Sequence, residues 1–217
     1  MQFSTRISGN CLTFQCHESL QLQAEWLLDL VKSLVQDSGD EVLRDGYRFR
    51  VGWSMLTIMQ RGSGSYVLLE PDFADDPFHG VRDNLGCTLS VHAEQSDFSS
   101  MIGVDPTITS FQDKVIYSKS SVRARRIYLE RRRPRATDSG WFIGINGADN
   151  PDHEEELTAC YAYELLWLRP EVMKVLQLPP GYLVAFDGVE IESVLAADNE
   201  TVFSRKHRVS SRLAPAT

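Results

Sequence analysis

The sequence predicts an α+β fold of two small modules, each a mainly antiparallel sheet with one or two packed helices. Short segments rich in aromatic and β-branched residues recur along the chain, and a strong helical pattern lies near the N-terminus. A chain of 217 residues can hold two cores of about 100 residues each. We expect modules at 1–105 and 106–217, with a junction near 97–113 where periodicity is weak.

The first module contains the clearest helix of the sequence, from about Glu18 to Gln36. Asp37-Ser38-Gly39 is a typical stop signal after it. Its apolar residues recur at intervals of three and four and therefore share one face, consisting of Leu20, Ala24, Leu27, Val31, Leu34 and Val35. Strands are expected beyond it, at 47–53, 56–60, 66–70 and 87–93.

An acidic loop follows the strand that ends at Glu70. Carboxylates on such a loop can attract a basic partner, and aromatic side chains between them can anchor the contact. A solvated loop without a partner is the simpler interpretation of any single residue. The candidate partner-binding residues of this loop are Asp72, Phe73, Asp75, Asp76, Phe78 and Asp83.

The second module should contain strands at 114–118, 126–130 and 141–145, separated by polar turns. A helix is expected from about His153 to a point before Pro170, because Asp152 is a good N-cap and acidic residues follow it. A short helix at 171–176, a strand at 182–187 and a hairpin to 189–193 complete the pattern. The polar tail after Glu200 should be loosely held.

The composition of the chain limits which class of protein it can be. No stretch approaches the run of about 20 apolar residues that crosses a bilayer, and the N-terminus lacks the apolar segment of a secretory signal. The four cysteines form no CxxC pair and fit reduced thiols. A metal site from Cys11, Cys16 and His17 is an alternative that lacks a fourth ligand. We therefore expect a cytoplasmic protein with no membrane association, metal or cofactor; its oligomeric state is not indicated.

Charge is distributed unevenly along the chain. The formal net charge is -8, and the whole acidic excess lies in residues 1–105. The run Arg123–Arg135 has the opposite character, with seven arginines and one glutamate. It raises the alternative of a regulatory or nucleic-acid-associated module, although the acidic remainder of the chain would repel phosphate and makes nucleic acid the less favoured partner.

Residues 114–200 carry a pattern of motifs in a set order. Tyr117-Ser118 and Ile127–Arg131 come first, then Asp138-Ser139-Gly140-Trp141-Phe142, then Leu178-Pro179-Pro180-Gly181. This order resembles the immunity-protein-33 domain of bacterial toxin immunity proteins. The resemblance implies a protein that neutralises a cognate antibacterial toxin, a secretion-system effector such as one of the type VI system, by covering it. It also implies that Asp138, Ser139, Gly140, Trp141, Pro179 and Gly181 form a structural signature.

The sequence gives little support for a catalytic activity. Ser139 with His153 could suggest a small hydrolase, but the G-x-S-x-G elbow is absent. Asp138 and Ser139 are better explained as turn residues that bond local backbone. We predict a protein that is not an enzyme, whose further candidate partner-binding residues are Arg131, Arg132, Arg133, Glu154 and Glu155.

Overall fold

The computed structural model describes residues 1–135, 138–147 and 156–205. It divides into two compact units, Met1–Glu94 and Gln95–Thr217. Each unit combines one sheet with helices, which confirms the predicted α+β class. Within the described ranges, no helix has the length and apolar character needed to span a membrane.

The first unit is built on one sheet with a helix against it. Its strands are β1 (Gln2–Ile7), β2 (Asn10–Gln15), β3 (Tyr47–Val51), β4 (Ser54–Gly62), β5 (Ser65–Pro71) and β6 (Val81–Arg82). The order across the sheet is β1-β2-β5-β4-β3, and β6 pairs with β5 off this path. Only the β2–β5 pairing is parallel among these described strands.

Helix α1 (Gln21–Ser38) connects β2 to β3 and confirms the predicted helix. It buries Ala24, Leu27, Val31 and Val35, all on the predicted face. The helix ends at Gly39, whose φ of 75° suits glycine and whose amide donates to the Val35 carbonyl over 2.8 Å. A 3₁₀ helix stands at each end, Glu18–Leu20 and Asp40–Val42.

The strand predicted at 87–93 is wrong, because this segment belongs to helix α2 (Gly86–Ile102). The buried Leu85 and Leu89 stand four residues apart, which is the helical spacing. The buried carboxylate of Glu70 accepts the N–H groups of Cys87 at 3.3 Å and Thr88 at 2.7 Å. It thereby satisfies the donors at the start of the helix. The expected junction at 97–113 begins as the last part of α2, and the division between the units falls within this helix.

The second unit contains a larger sheet. Its strands are β7 (Lys114–Ser118), β8 (Arg126–Arg131), β9 (Asp138–Ile145), β10 (Leu157–Tyr161), β11 (Leu183–Asp187), β12 (Glu190–Leu195) and β13 (Thr201–Ser204). The order is β10-β7-β9-β8-β11-β12-β13. Among these strands only β7 and β9 run parallel to each other. Short helices occur at Lys119–Val122, Ala162–Glu164 and Pro170–Val175 as 3₁₀ turns, and at Leu165–Leu168 as α3.

Two sequence expectations for this unit are corrected. The helix expected from His153 to Pro170 has a strand, β10, in its middle. Residues 148–155 lie outside the described ranges, and helical structure among the described residues of the span is limited to 162–168. The first part of the tail after Glu200 forms β13 and pairs with β12, so it is not loose. The acidic residues near 154 indicated a helix start, but the sheet gives β10 a neighbour that local sequence does not show.

The sheet of the second unit has one buried and one outer face, because alternate residues of a strand point to opposite sides. Apolar side chains fill the buried face, namely Val115, Ile127, Leu129, Trp141, Ile143, Val184, Phe186 and Val194. The residues beside them in sequence, including Ile116, Tyr128 and Phe142, lie on the outer face.

Candidate protein-interaction site

The Asp138–Trp141 segment forms a tight structural junction at the start of β9. The Asp138 carboxylate accepts from the Gly140 amide over 2.8 Å. The Ser139 hydroxyl donates to the Lys114 carbonyl over 2.7 Å and accepts from the Trp141 amide at 3.2 Å. Gly140 has a φ of 79°, and a Cβ there would lie 2.1 Å from the Arg132 carbonyl oxygen. Only glycine fits at this position.

Arg131 lies under this junction and is 1% exposed. Its guanidinium donates to backbone carbonyls, among them Thr107 at 2.7 Å and Ser139 at 3.2 Å. Further bonds from it reach the carbonyls of Ile108, Leu176 and Leu178. Its Cζ lies 5.5 Å from the centre of the Trp141 ring, within the range of a cation–π contact. Burial lowers the pKa of Arg131 to about 10, which leaves the side chain charged at neutral pH.

The expectation that Arg131 faces a partner is therefore wrong. Arg131 stands on the buried side of β8, two residues after Leu129, and its donors are occupied by backbone. It also connects the two sequence signatures. The Gly181 amide donates to the Arg131 carbonyl over 2.6 Å, and the Arg131 amide donates to the Tyr182 carbonyl over 2.9 Å. The Trp141 indole donates to the Leu176 carbonyl over 3.0 Å.

Gly181, in the Leu-Pro-Pro-Gly turn, is restricted in the same way as Gly140. Its φ is 96°, and a Cβ would lie 2.5 Å from that of Ala197. Pro179 accepts the Tyr182 amide at 3.4 Å and closes the turn. These contacts support structural roles for the signature residues and leave partner binding to other surfaces.

A groove of about 580 Å³ lies on the outer face of the same sheet. Three arginines line it, Arg132, Arg133 and Arg135, and all three are exposed. The lining also includes Ile116, Tyr128, Asp138, Gly140, Trp141, Phe142 and Leu157. Ile116 and Leu157 are exposed aliphatic side chains, at 38% and 56%. We call this surface the arginine groove.

Two aromatic side chains form the floor of the arginine groove. The rings of Tyr128 and Phe142 are 5.9 Å apart and tilted by 55°. Tyr128 lies across Gly144, where a Cβ would be 2.6 Å from a ring carbon. The absence of a side chain at Gly144 therefore makes room for the Tyr128 ring on the sheet. Strands hold both aromatic residues, so the floor is rigid.

The electrostatics of the basic run differ from what its composition indicates. Arg125 pairs with Asp187 at 2.7 Å and Arg126 with Glu192 at 2.9 Å. Arg132 is 3.3 Å from Glu130, whose hydrogen bond raises the arginine pKa. With Arg131 buried as well, four of the seven arginines in the run are engaged within the protein.

The acidic loop of the first unit uses two of its carboxylates internally. Asp72 accepts from the Ala74 amide at 3.2 Å and lies 3.7 Å from Arg82. Asp76 accepts from the amides of Phe78 and His79 and is 2.8 Å from the His79 ring, whose hydrogen bond lowers the Asp76 pKa.

The aromatic residues of this loop are divided between core and surface. Phe73 is 4% exposed and stacks on Trp53 at 4.7 Å, so it is a core residue and the expectation that it anchors a partner is wrong. Phe78 is 37% exposed and is accessible. Asp75 and Asp83 are exposed carboxylates.

Arg131 is buried, and the other predicted partner-binding residues occupy three settings. Arg132 and Arg133 share the arginine groove, while the acidic loop belongs to the first unit. Glu154 and Glu155, together with His153, lie outside the described residues. The prediction did not include Ile116, Tyr128, Phe142 or Leu157. Alternation along β8 was a usable signal for Tyr128, since it stands between the apolar Ile127 and Leu129.

Comparison with known proteins adds one finding. Residues 94–197 match the family model described as the Imm33-like domain. This confirms the resemblance predicted from the Asp-Ser-Gly-Trp and Leu-Pro-Pro-Gly motifs, and it associates the chain with a family of immunity proteins. No curated protein and no solved structure matches the chain.

The Imm33-like domain contains the Arg131 junction and the whole arginine groove. Ser139, the nucleophile of the hydrolase alternative, is 1% exposed, and its hydroxyl is bonded to backbone. Across the described ranges, no group of three or more His, Cys, Asp or Glu side chains is placed to hold a metal ion.

Proposed function

We propose that this protein is an immunity protein that binds a cognate antibacterial toxin and neutralises it by covering it. The observation that carries the proposal is the match of residues 94–197 to the Imm33-like domain. We further propose that the toxin is a secretion-system effector, such as one of the type VI system, and that the protein acts in the cytoplasm of the producing cell. No chemical step is required of the immunity protein in this role.

The surface chemistry supports a protein partner. Interfaces are enriched in arginine and tyrosine, and their cores are aromatic or aliphatic. The arginine groove combines these residue types on a rigid sheet. The acidic loop offers Asp75 and Asp83 as exposed carboxylates, which would speed association with a basic toxin. We propose Arg132, Arg133, Glu154 and Glu155 as further contact residues and the unit Met1–Glu94 as a module that shapes the binding surface.

The nucleic-acid alternative is weakened by the geometry of the basic run. A phosphate backbone is held by several arginines or lysines together. Here Arg125, Arg126 and Arg132 each face a carboxylate of the same unit. The remaining attraction suits single carboxylates better than a chain of phosphates.

Co-expression tests the proposal directly. A toxin-domain gene, if one is found beside the gene of this protein, is induced in a sensitive host, alone or with the full chain. We expect killing by the toxin alone and survival with the full chain. A binding assay with a catalytically inactive toxin should show a stoichiometric complex, and Asp75→Lys should slow its formation. Equal killing with and without this protein would refute the immunity function.

A further inference from the structure

The arginine groove combines a cationic rim with an apolar floor. Arg133 and Arg135 are exposed on the rim, and no ion pair with either occurs among the described residues. Arg132 forms an ion pair with Glu130. The guanidinium groups of Arg133 and Arg135 can each accept a carboxylate in a bidentate arrangement.

The floor of the arginine groove favours apolar side chains. Ile116 and Leu157 are aliphatic and open, and they stand beside the rings of Tyr128 and Phe142. Removal of apolar surface from water favours an occupant that brings apolar side chains of its own. The volume of about 580 Å³ falls within the range of about 300–1,000 Å³ typical of ligand pockets.

We propose that the arginine groove binds a segment of the partner protein in which an acidic side chain neighbours an aliphatic or aromatic one. The carboxylate pairs with Arg133 or Arg135, and the apolar side chain lies against Tyr128, Phe142 and Leu157. This inference rests on the proposed function for the identity of the partner. It concerns the chemistry of one surface, which can be tested separately.

Charge in and around the groove favours this occupant over a nucleic acid. Asp138 lines the groove, and Glu130 stands beside Arg132, so successive phosphates would meet carboxylates as well as arginines. A segment with one or two carboxylates would meet the rim arginines without that repeated repulsion.

The groove is prepared for binding by its backbone. Phe142 pairs in register with Ile116 on one side and Glu130 on the other, and Tyr128 is placed over Gly144. Side chains fixed in this way lose little freedom on binding, which raises affinity. Gly144→Ala would displace the Tyr128 ring and should weaken binding without changing any charge.

The first experiment uses a displayed library of random peptides as the probe. The library is selected on the immobilised full chain, and selected peptides are then measured in solution. We expect enriched sequences with Asp or Glu next to Leu, Ile or Phe. Arg133→Glu and Arg135→Glu should each weaken peptide binding about tenfold, because each replaces attraction to the peptide carboxylate by repulsion. Arg123→Glu is the matched control, because Arg123 is exposed in the same run but does not line the groove.

The apolar floor has its own control pair. Leu157→Ser should weaken peptide binding about tenfold, whereas Val189→Ser should leave it unchanged. Both side chains are more than half exposed, at 56% and 65%, so neither change should unfold the unit. Circular dichroism of each variant checks that the fold is kept.

Several outcomes would overturn the inference. These are no enrichment, enriched peptides without acidic residues, equal binding by the groove variants and their controls, or tighter binding of a short single-stranded RNA. The same variants are then co-expressed with the toxin. If the full chain and all groove variants protect equally, the groove inference fails while the immunity function stands. If the full chain gives no protection, the immunity function fails and the peptide selection still decides the chemistry of the groove.

Discussion

Replacing Arg131 by methionine should strongly destabilise the second unit. The change keeps much of the side-chain length but removes every donor from a position that is 1% exposed. The guanidinium would no longer donate hydrogen bonds to the backbone carbonyls of Thr107, Ser139 and Leu178. A hydrogen bond to a charged group contributes about 1.5–3 kcal/mol, so three of them contribute about 4.5–9 kcal/mol.

The cost of burying the charge reduces this figure. The pKa of Arg131 is lowered from 12.5 to about 10, and a shift of that size corresponds to about 3 kcal/mol against the charged form. The difference between the two effects is about 1–6 kcal/mol. We therefore expect Arg131→Met to lower the free energy of unfolding by about 3 kcal/mol, near the range of about 3–5 kcal/mol for breaking a buried charged contact.

Urea denaturation followed by tryptophan fluorescence and circular dichroism measures this loss. Arg132→Met is the matched control, since the neighbouring Arg132 is exposed and its replacement should leave the urea midpoint nearly unchanged. Equal stability of the two variants, or a loss below about 1 kcal/mol for Arg131→Met, would refute the role given to the buried guanidinium.

Two more predictions concern the backbone and pH. Gly140→Ala should cost at least about 2 kcal/mol, whereas Gly147→Ala should cost only about 1 kcal/mol. Both glycines have positive φ, but only at Gly140 would a Cβ meet backbone. Burial raises the pKa of Glu70 from 4.5 to about 7, so its contribution to stability is full below about pH 4.5 and is lost as pH rises through about 7. Between these limits the first unit should lose up to about 3 kcal/mol, and Glu70→Gln should flatten that dependence. Urea midpoints across the pH range measure it, and an unchanged slope in Glu70→Gln would contradict the assignment.

Local pattern was sufficient for much of the fold. The face of α1 was read correctly because its apolar spacing is set by the helix alone. Strands β3, β4 and β5 were recognised by their composition and by the glycine turn between the last two. The Asp-Ser-Gly-Trp motif was expected to be a turn before a core strand; its bonds to nearby backbone are present and Trp141 is buried, but Asp138–Gly140 already belong to β9.

The wrong predictions concern segments whose structure depends on residues far away in the sequence. Helix α2 contains β-branched residues that favour a strand, but the carboxylate of Glu70 supplies its N-terminal acceptor. Arg131 looked exposed because it stands in a charged run. Its position two residues after Leu129 placed it on the buried face, and only the fold reveals the carbonyls that accept from it. The floor of the arginine groove likewise requires the pairing of β8 with β9.

The buried position of Arg131 has a consequence for how β8 finds its alignment. Three identical side chains follow one another from Arg131 to Arg133, so the guanidinium site cannot itself distinguish which arginine enters it. A slip of one residue would turn Ile127 and Leu129 towards water. A slip of two would keep the apolar alternation but would place Arg131 where Leu129 now lies, burying a second cation without acceptors. The aliphatic residues upstream therefore exclude a slip of one, and the cost of burying Arg131 at the Leu129 position excludes a slip of two.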